Sequence, residues 1–270
     1  LAKRSVFNYS GRYMRAPDNS RGEDEKASRK SASDAPHKRS ENERVGGFAF
    51  FLSLILLLPT GLVFFIVAIR QIRDADIADA AIFILAAILG MMVAHGCIRD
   101  HISVLIHEFK HSLISNLAGN KYKGMKIDRN SGHMEYAYTK RTAHYNAFIS
   151  LAPYIVPIFT TIFSLIALST SRHDPTMMVL IVGFGYGIDL LLNMRDISPI
   201  QTDISLIRGG YHVGLLYILA WNLVIAALAL AWAFQGIAGI GLLFKTVCEA
   251  FIWLYFSLSG QTPGGEGGGS

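Results

Sequence analysis

The sequence predicts an all-α polytopic membrane protein carrying one small β-hairpin, and three observations predict it. Hydrophobic residues make up 51% of the 270 and charged residues only 17%, where a soluble domain carries about 25% charge. Apolar runs long enough to cross a bilayer recur between residues 48 and 258, giving a mean hydropathy of +0.36. Between two of these runs, a single stretch alternates polar and apolar residues as a strand does.

The chain opens on a different composition. Residues 1–44 hold 11 Lys/Arg and 7 Asp/Glu with scarcely an apolar run. Such a segment buries too little apolar surface to offset its ordering entropy, so 1–44 is expected to be a disordered basic tail. Its basic residues are interleaved with acids and adjoin a membrane span, which argues against nucleic acid as a partner. Residues 45–258 form the membrane domain. The tail 259–270 ends in Gly264-Gly265-Glu266-Gly267-Gly268-Gly269-Ser270 and reads as a linker. The two cysteines, Cys97 and Cys248, both sit in apolar stretches and make neither a disulfide framework nor a thiolate metal pair.

A spanning helix needs about 20 mostly apolar residues. Phe48 to Ile69 qualifies, with Pro59 inside it. Ala80 to Ala94 follows, then a polar patch of His95, Arg99, Asp100 and His101. Ile102 to Ala118 is apolar apart from His107-Glu108-Phe109-Lys110-His111. Ala147 to Ser169 is interrupted by Pro153 and Pro157. Met177 to Met194, Tyr211 to Phe234 and Ile237 to Leu258 complete the set. About six or seven spans are expected, hence a multi-pass protein of the lipid bilayer. The Lys/Arg rule leaves the orientation open. Lys121, Lys123, Lys126, Arg129, Lys140 and Arg141 and the N-terminal tail are both basic, and residues 80–118 are too long for one crossing between them.

Residues 122–139 read as a hairpin. Met134, Tyr136 and Tyr138 alternate with His133, Glu135 and Ala137, and Arg129-Asn130-Ser131-Gly132 supplies turn chemistry.

The chemistry is concentrated in five residues. Positions i and i+4 share one helix face, so His107 and His111 can present two imidazoles to one Zn2+ ion. Glu108, offset by about 100°, can reach a zinc-bound water as its general base without ligating the metal. Zinc lowers the pKa of that water toward roughly 7. Ionisable residues inside an apolar helix are costly in lipid, which points to function. A polar cavity in a transporter or ion pathway is the competing explanation.

A catalytic zinc site needs a third protein ligand. Asp189 leads, because a carboxylate between Ile188 and Leu190 in an apolar span needs compensation. Asp203 is the alternative and Asp196 a weaker one. Gly183, Gly185 and Gly187 lack the strand–turn–helix setting of a nucleotide loop and instead let helices approach closely. Asn193, one turn beyond Asp189, either supports the site or marks the span end. His95, His101, His144 and His212 lie near span ends and read as interfacial or packed side chains; in His144-Tyr145-Asn146 the Asn could stabilise substrate or transition-state charge, and the same residues serve equally as a helix cap.

With the HEFKH helix, the hairpin at 122–139, the span bearing Ala152-Pro153-Tyr154 and a later acidic span, the chain resembles the site-2 protease family of intramembrane zinc metalloproteases. The resemblance covers roughly residues 100–210. It implies zinc ligation by His107, His111 and Asp189, Glu108 as the base, and a transmembrane protein as substrate, cleaved in or beside the bilayer. Two positions depart from the family pattern. Lys110 stands where a small residue often precedes the second histidine, and Leu190, not Gly, follows Asp189. A non-proteolytic relative that binds transmembrane partners is the remaining alternative; the oligomeric state is not legible. The substrate's helix must unwind before its carbonyl can react, and an exposed strand edge at 122–139 could pair with it.

Overall fold

The computed structural model describes residues 5–8, 47–73, 75–127, 132–139, 142, 145–170, 174–207 and 210–260. In chain order the elements are β1 (Ser5–Asn8), α1 (Gly47–Gln71), α2 (Ile77–Cys97), α3 (Asp100–Leu117), β2 (Lys121–Ile127) and β3 (Gly132–Tyr138). They continue with α4 (Asn146–Ile155), α5 (Ile158–Thr170), α6 (Pro175–Arg195), α7 (Thr202–Ser205) and α8 (Gly210–Ser259). The chain divides into two compact units, residues 1–46 with 100–150, and residues 47–99 with 151–270.

In the first unit, α3 ends in a Schellman cap. Gly119 takes φ +80°, its N–H bonds Asn116 O at 2.9 Å, and the Asn120 N–H bonds Ser115 O at 3.0 Å. Only a residue without Cβ enters that left-handed region cheaply, so Gly119 both stops the helix and turns the chain into β2. The expected hairpin forms, with β2 antiparallel to β3 and a register shift between Tyr122 and Gly124. The alternation has its physical cause here: Met134 and Tyr136 are buried and pack with Ile149, Ile114 and Ala118. The Tyr136 hydroxyl reaches Asn146 Oδ1 at 3.4 Å. The turn residues Arg129, Asn130 and Ser131 lie outside the described residues. Where a tail without structure is expected, Ser5–Asn8 pairs with β3, making a three-stranded sheet in the order β1-β3-β2. The rest of 1–46 and the tail 261–270 lie outside the described residues.

The second unit is a helical assembly. Three of its helices, α2, α6 and α8, are long and apolar enough to cross a membrane, or four spans if the bent pair α4–α5 counts as one. The expected six or seven are not reached among the described residues. The HEFKH helix α3 is not among the qualifying helices, since its 18 residues carry Asp100, Glu108 and Lys110. Helix α8 joins the two expected C-terminal spans across Gly236, which is bent out of helical geometry at φ 61°. Two apolar clusters hold the unit: Phe64, Val67 and Ala68 of α1 against Ala227, Ala231, Leu243 and Val247 of α8, and Phe83 of α2 against Val179 and Val182 of α6 and Ala229 and Ala233 of α8. Large apolar side chains remain outside, Leu62, Ile66, Ile84, Leu85 and Met92 among them, as lipid-facing surface requires.

The three glycines of α6 work as expected. A Cβ on Gly183 would stand 2.8 Å from Phe83 O, and one on Gly187 would stand 2.7 Å from the Ala87 Cα, both on α2. Gly185 faces α5 instead, where a Cβ would stand 2.9 Å from Phe159 O. Spacing of four turns Gly183 and Gly187 to one neighbour, and the residue between them faces another.

Candidate metal centre

Helix α3 places its ionisable residues unevenly. Glu108, Lys110 and His111 are buried, with Lys110 only 1% exposed, while Phe109 and Leu105 face outward. The His107 and His111 rings lie side by side, centroids 5.1 Å apart, as the i, i+4 spacing predicts. The His111 Nδ1 stands 2.6 Å from the Ile149 carbonyl. A carbonyl only accepts, so Nδ1 carries the proton and Nε2 carries the lone pair. This is the arrangement by which a metal-binding imidazole has its tautomer and ring orientation fixed.

The two aspartates divide. Asp189, buried at 2% exposure, accepts two hydrogen bonds through Oδ2, from the Thr160 backbone N–H at 2.6 Å and the Thr160 hydroxyl at 2.9 Å. Thr160 lies in the first turn of α5, whose leading N–H groups have no partner within the helix. Asp189 therefore caps α5 from across the helix pair, and a carboxylate is also what the positive end of the helix dipole favours. The break it serves follows from Pro157. The Ile158 N–H bonds Val156 O at 3.2 Å where an unbroken helix would bond Tyr154 O, and α4 and α5 meet at 61°. The Tyr154 carbonyl is met instead by Asn222 Nδ2 of α8 at 2.9 Å. Asn193, one turn beyond Asp189, donates to Asn222 Oδ1 at 3.1 Å.

Asp203, in α7, is 4% exposed. It belongs to the second unit, while His107 and His111 belong to the first, where their side-by-side imidazoles offer two ligands to one metal ion. Two imidazoles and a carboxylate are a donor set for zinc, with one of four tetrahedral positions left for water or substrate. The donor chemistry therefore fits the ion that the sequence implies. Of the other histidines weighed in the sequence, His95, His101 and His212 are exposed, and His144 lies outside the described residues. Asp196 pairs with its neighbour Arg195 at 3.6 Å. Cys97 and Cys248 are free thiols.

Sequence reasoning did not reach Thr160 or Asn222. Nothing marks Thr160 in a run of apolar and hydroxyl residues. Asn222, a lone amide in an apolar span, carried a signal.

The profile of the Peptidase M50B-like family matches residues 77–247, well over half of the chain. The chain belongs to this family, which supports its placement among the site-2 proteases. Peptidases of this kind depend on a metal ion, and the apolar helices agree with a membrane protein. No curated protein and no solved structure matches the chain.

Proposed function

We propose that the protein is a multi-pass, zinc-dependent intramembrane endopeptidase, with zinc held by His107, His111 and Asp203 and Glu108 as general base. The paired His107 and His111 imidazoles with Glu108 beside them, on a chain of this peptidase family, carry the reading. Asp203 takes the third position that the sequence offered first to Asp189, because the Asp189 carboxylate is compensated by Thr160 without a metal. Family membership favours a peptidase over a transporter.

Zinc bound there would supply a Lewis acid for the scissile carbonyl and bring the pKa of water toward about 7. The protein's own contribution is orientation and proton handling. Ile149 O holds the His111 ring. Glu108, offset from the histidine pair, accepts the proton of the attacking water and passes it to the leaving amine. Burial of Glu108 excludes bulk water from its carboxylate.

The proposed substrate is the transmembrane segment of another protein, locally unwound. The order β1-β3-β2 makes β2 an outer strand of the sheet, and an outer strand offers backbone groups for pairing with an extended chain. A photo-crosslinking residue at exposed Tyr122 would link to such a substrate, and one at buried Met134 would not.

The deciding experiment measures bound zinc and peptide cleavage in purified wild type and Glu108→Gln. About one zinc per chain in both, with cleavage only in wild type, is expected. Wild type without zinc would defeat the reading, and zinc with no cleavage by wild type would point to a non-proteolytic relative.

A further inference from the structure

Gly132 opens β3, and the space where its side chain would stand is filled by Glu108. A Cβ on Gly132 would come within 2.5 Å of Glu108 Oε1 and 2.7 Å of Cδ, where ordinary Cβ contacts begin at 3.4 Å. The backbone does not ask for glycine at this position. Left-handed φ values among the described glycines belong to Gly119, Gly210, Gly236 and Gly260, and Gly132 sits in the antiparallel ladder opposite Ile127. Glycine loses more conformational freedom on folding than any other residue, so its presence costs stability unless the missing methyl matters. All three of the nearest atoms to that missing methyl belong to the Glu108 side chain. The second glycine of the hairpin makes the contrast: a Cβ on Gly124 would meet nothing within 4 Å.

We propose that Gly132 is a positioning residue for the general base, forming the wall against which the Glu108 carboxylate is set. The inference rests on the reading of Glu108 as that base. A methyl at 132 would drive Oε1 about 1 Å from its place, from 2.5 Å to at least 3.4 Å. A general base acts only within about 2.6–3.2 Å of the proton it takes, and a misplacement of about 1 Å costs on the order of 100-fold in rate. The ligands His107 and His111 are not the groups displaced, so metal binding is retained.

The test uses the full chain as wild type, Gly132→Ala, Glu108→Ala and the double variant. Gly132→Ala keeps wild-type zinc content and KM while kcat falls about 100-fold. It lowers Tm when Glu108 is present and leaves Tm unchanged or raised in the Glu108→Ala background, where the methyl enters vacated space. Gly124→Ala shifts Tm equally in both backgrounds. Wild-type kcat in Gly132→Ala, or a Tm shift independent of the residue at 108, would overturn the proposal. Should Gly132→Ala alone fail to fold, folding of the double variant supports the coupling, and failure of both refutes it. If wild type cleaves nothing, the endopeptidase reading falls, and the Tm pair still decides whether Gly132 is shaped to Glu108.

Discussion

The Asp189 carboxylate grips both donors of Thr160, the backbone N–H at 2.6 Å and the hydroxyl at 2.9 Å. An acidic residue in the middle of an apolar helix is thereby explained by the geometry of its neighbour. The two aspartates should separate cleanly on substitution. Asp189→Ala is expected to destabilise by about 2–3 kcal/mol, the worth of hydrogen bonds to a charged acceptor, while zinc content stays at the wild-type level. Asp203→Ala is expected to lose zinc. Thermal unfolding in detergent beside metal analysis reads both, and zinc loss in the Asp189 variant would return the third position to Asp189.

Asn222 donates to the Tyr154 carbonyl beside the helix break and to the Ile218 carbonyl of its own helix, and it accepts from the Asn193 amide of α6. Asn222→Leu keeps the volume and removes all three bonds. A loss of about 1–3 kcal/mol is expected, with faster amide exchange around the 155–158 break. Unchanged exchange there would show that Pro157 alone sets the bend.

Glycine substitutions should sort by what faces them. Gly187→Val pushes a side chain against the backbone of α2 at Ala87, and overpacking of this kind costs about 1–3 kcal/mol or more. Gly96→Ala meets nothing within 4 Å and removes a flexible residue from a helix, so a gain of about 0.5 kcal/mol is expected. Unfolding midpoints of the two variants compare directly.

Removal of the metal should silence the enzyme without unfolding it. A chelator is expected to abolish cleavage, with recovery on adding zinc. Helical circular dichroism should persist throughout, because the α1–α8 and α2–α6–α8 contacts are apolar and hold no ligand residue. Collapse of the helical signal on chelation would make the ion structural instead.

Much of this was legible in particular residues. The pairing of His107 with His111 follows from a helical period, and the burial of Met134 and Tyr136 follows from a strand period, so local spacing was enough for both. The close-packing role of Gly183 and Gly187 was readable for the same reason. The identity of the third ligand was not. Asp189 and Asp203 are both carboxylates placed after the same motif, and sequence ranks them only by the apolarity of their neighbours. That criterion measures how much compensation a charge needs and cannot say who provides it.

The sequence by itself determined a helical membrane protein, its hairpin and the imidazole pair with an adjacent carboxylate, because each is written in residues a few positions apart. Tertiary structure decided what lies far apart in the chain: that Thr160 answers Asp189, that Asn222 answers Tyr154, and that Gly132 makes room for Glu108. A buried polar group must be satisfied, but the partner that satisfies it is fixed by the packing of whole elements, and no local period encodes that choice.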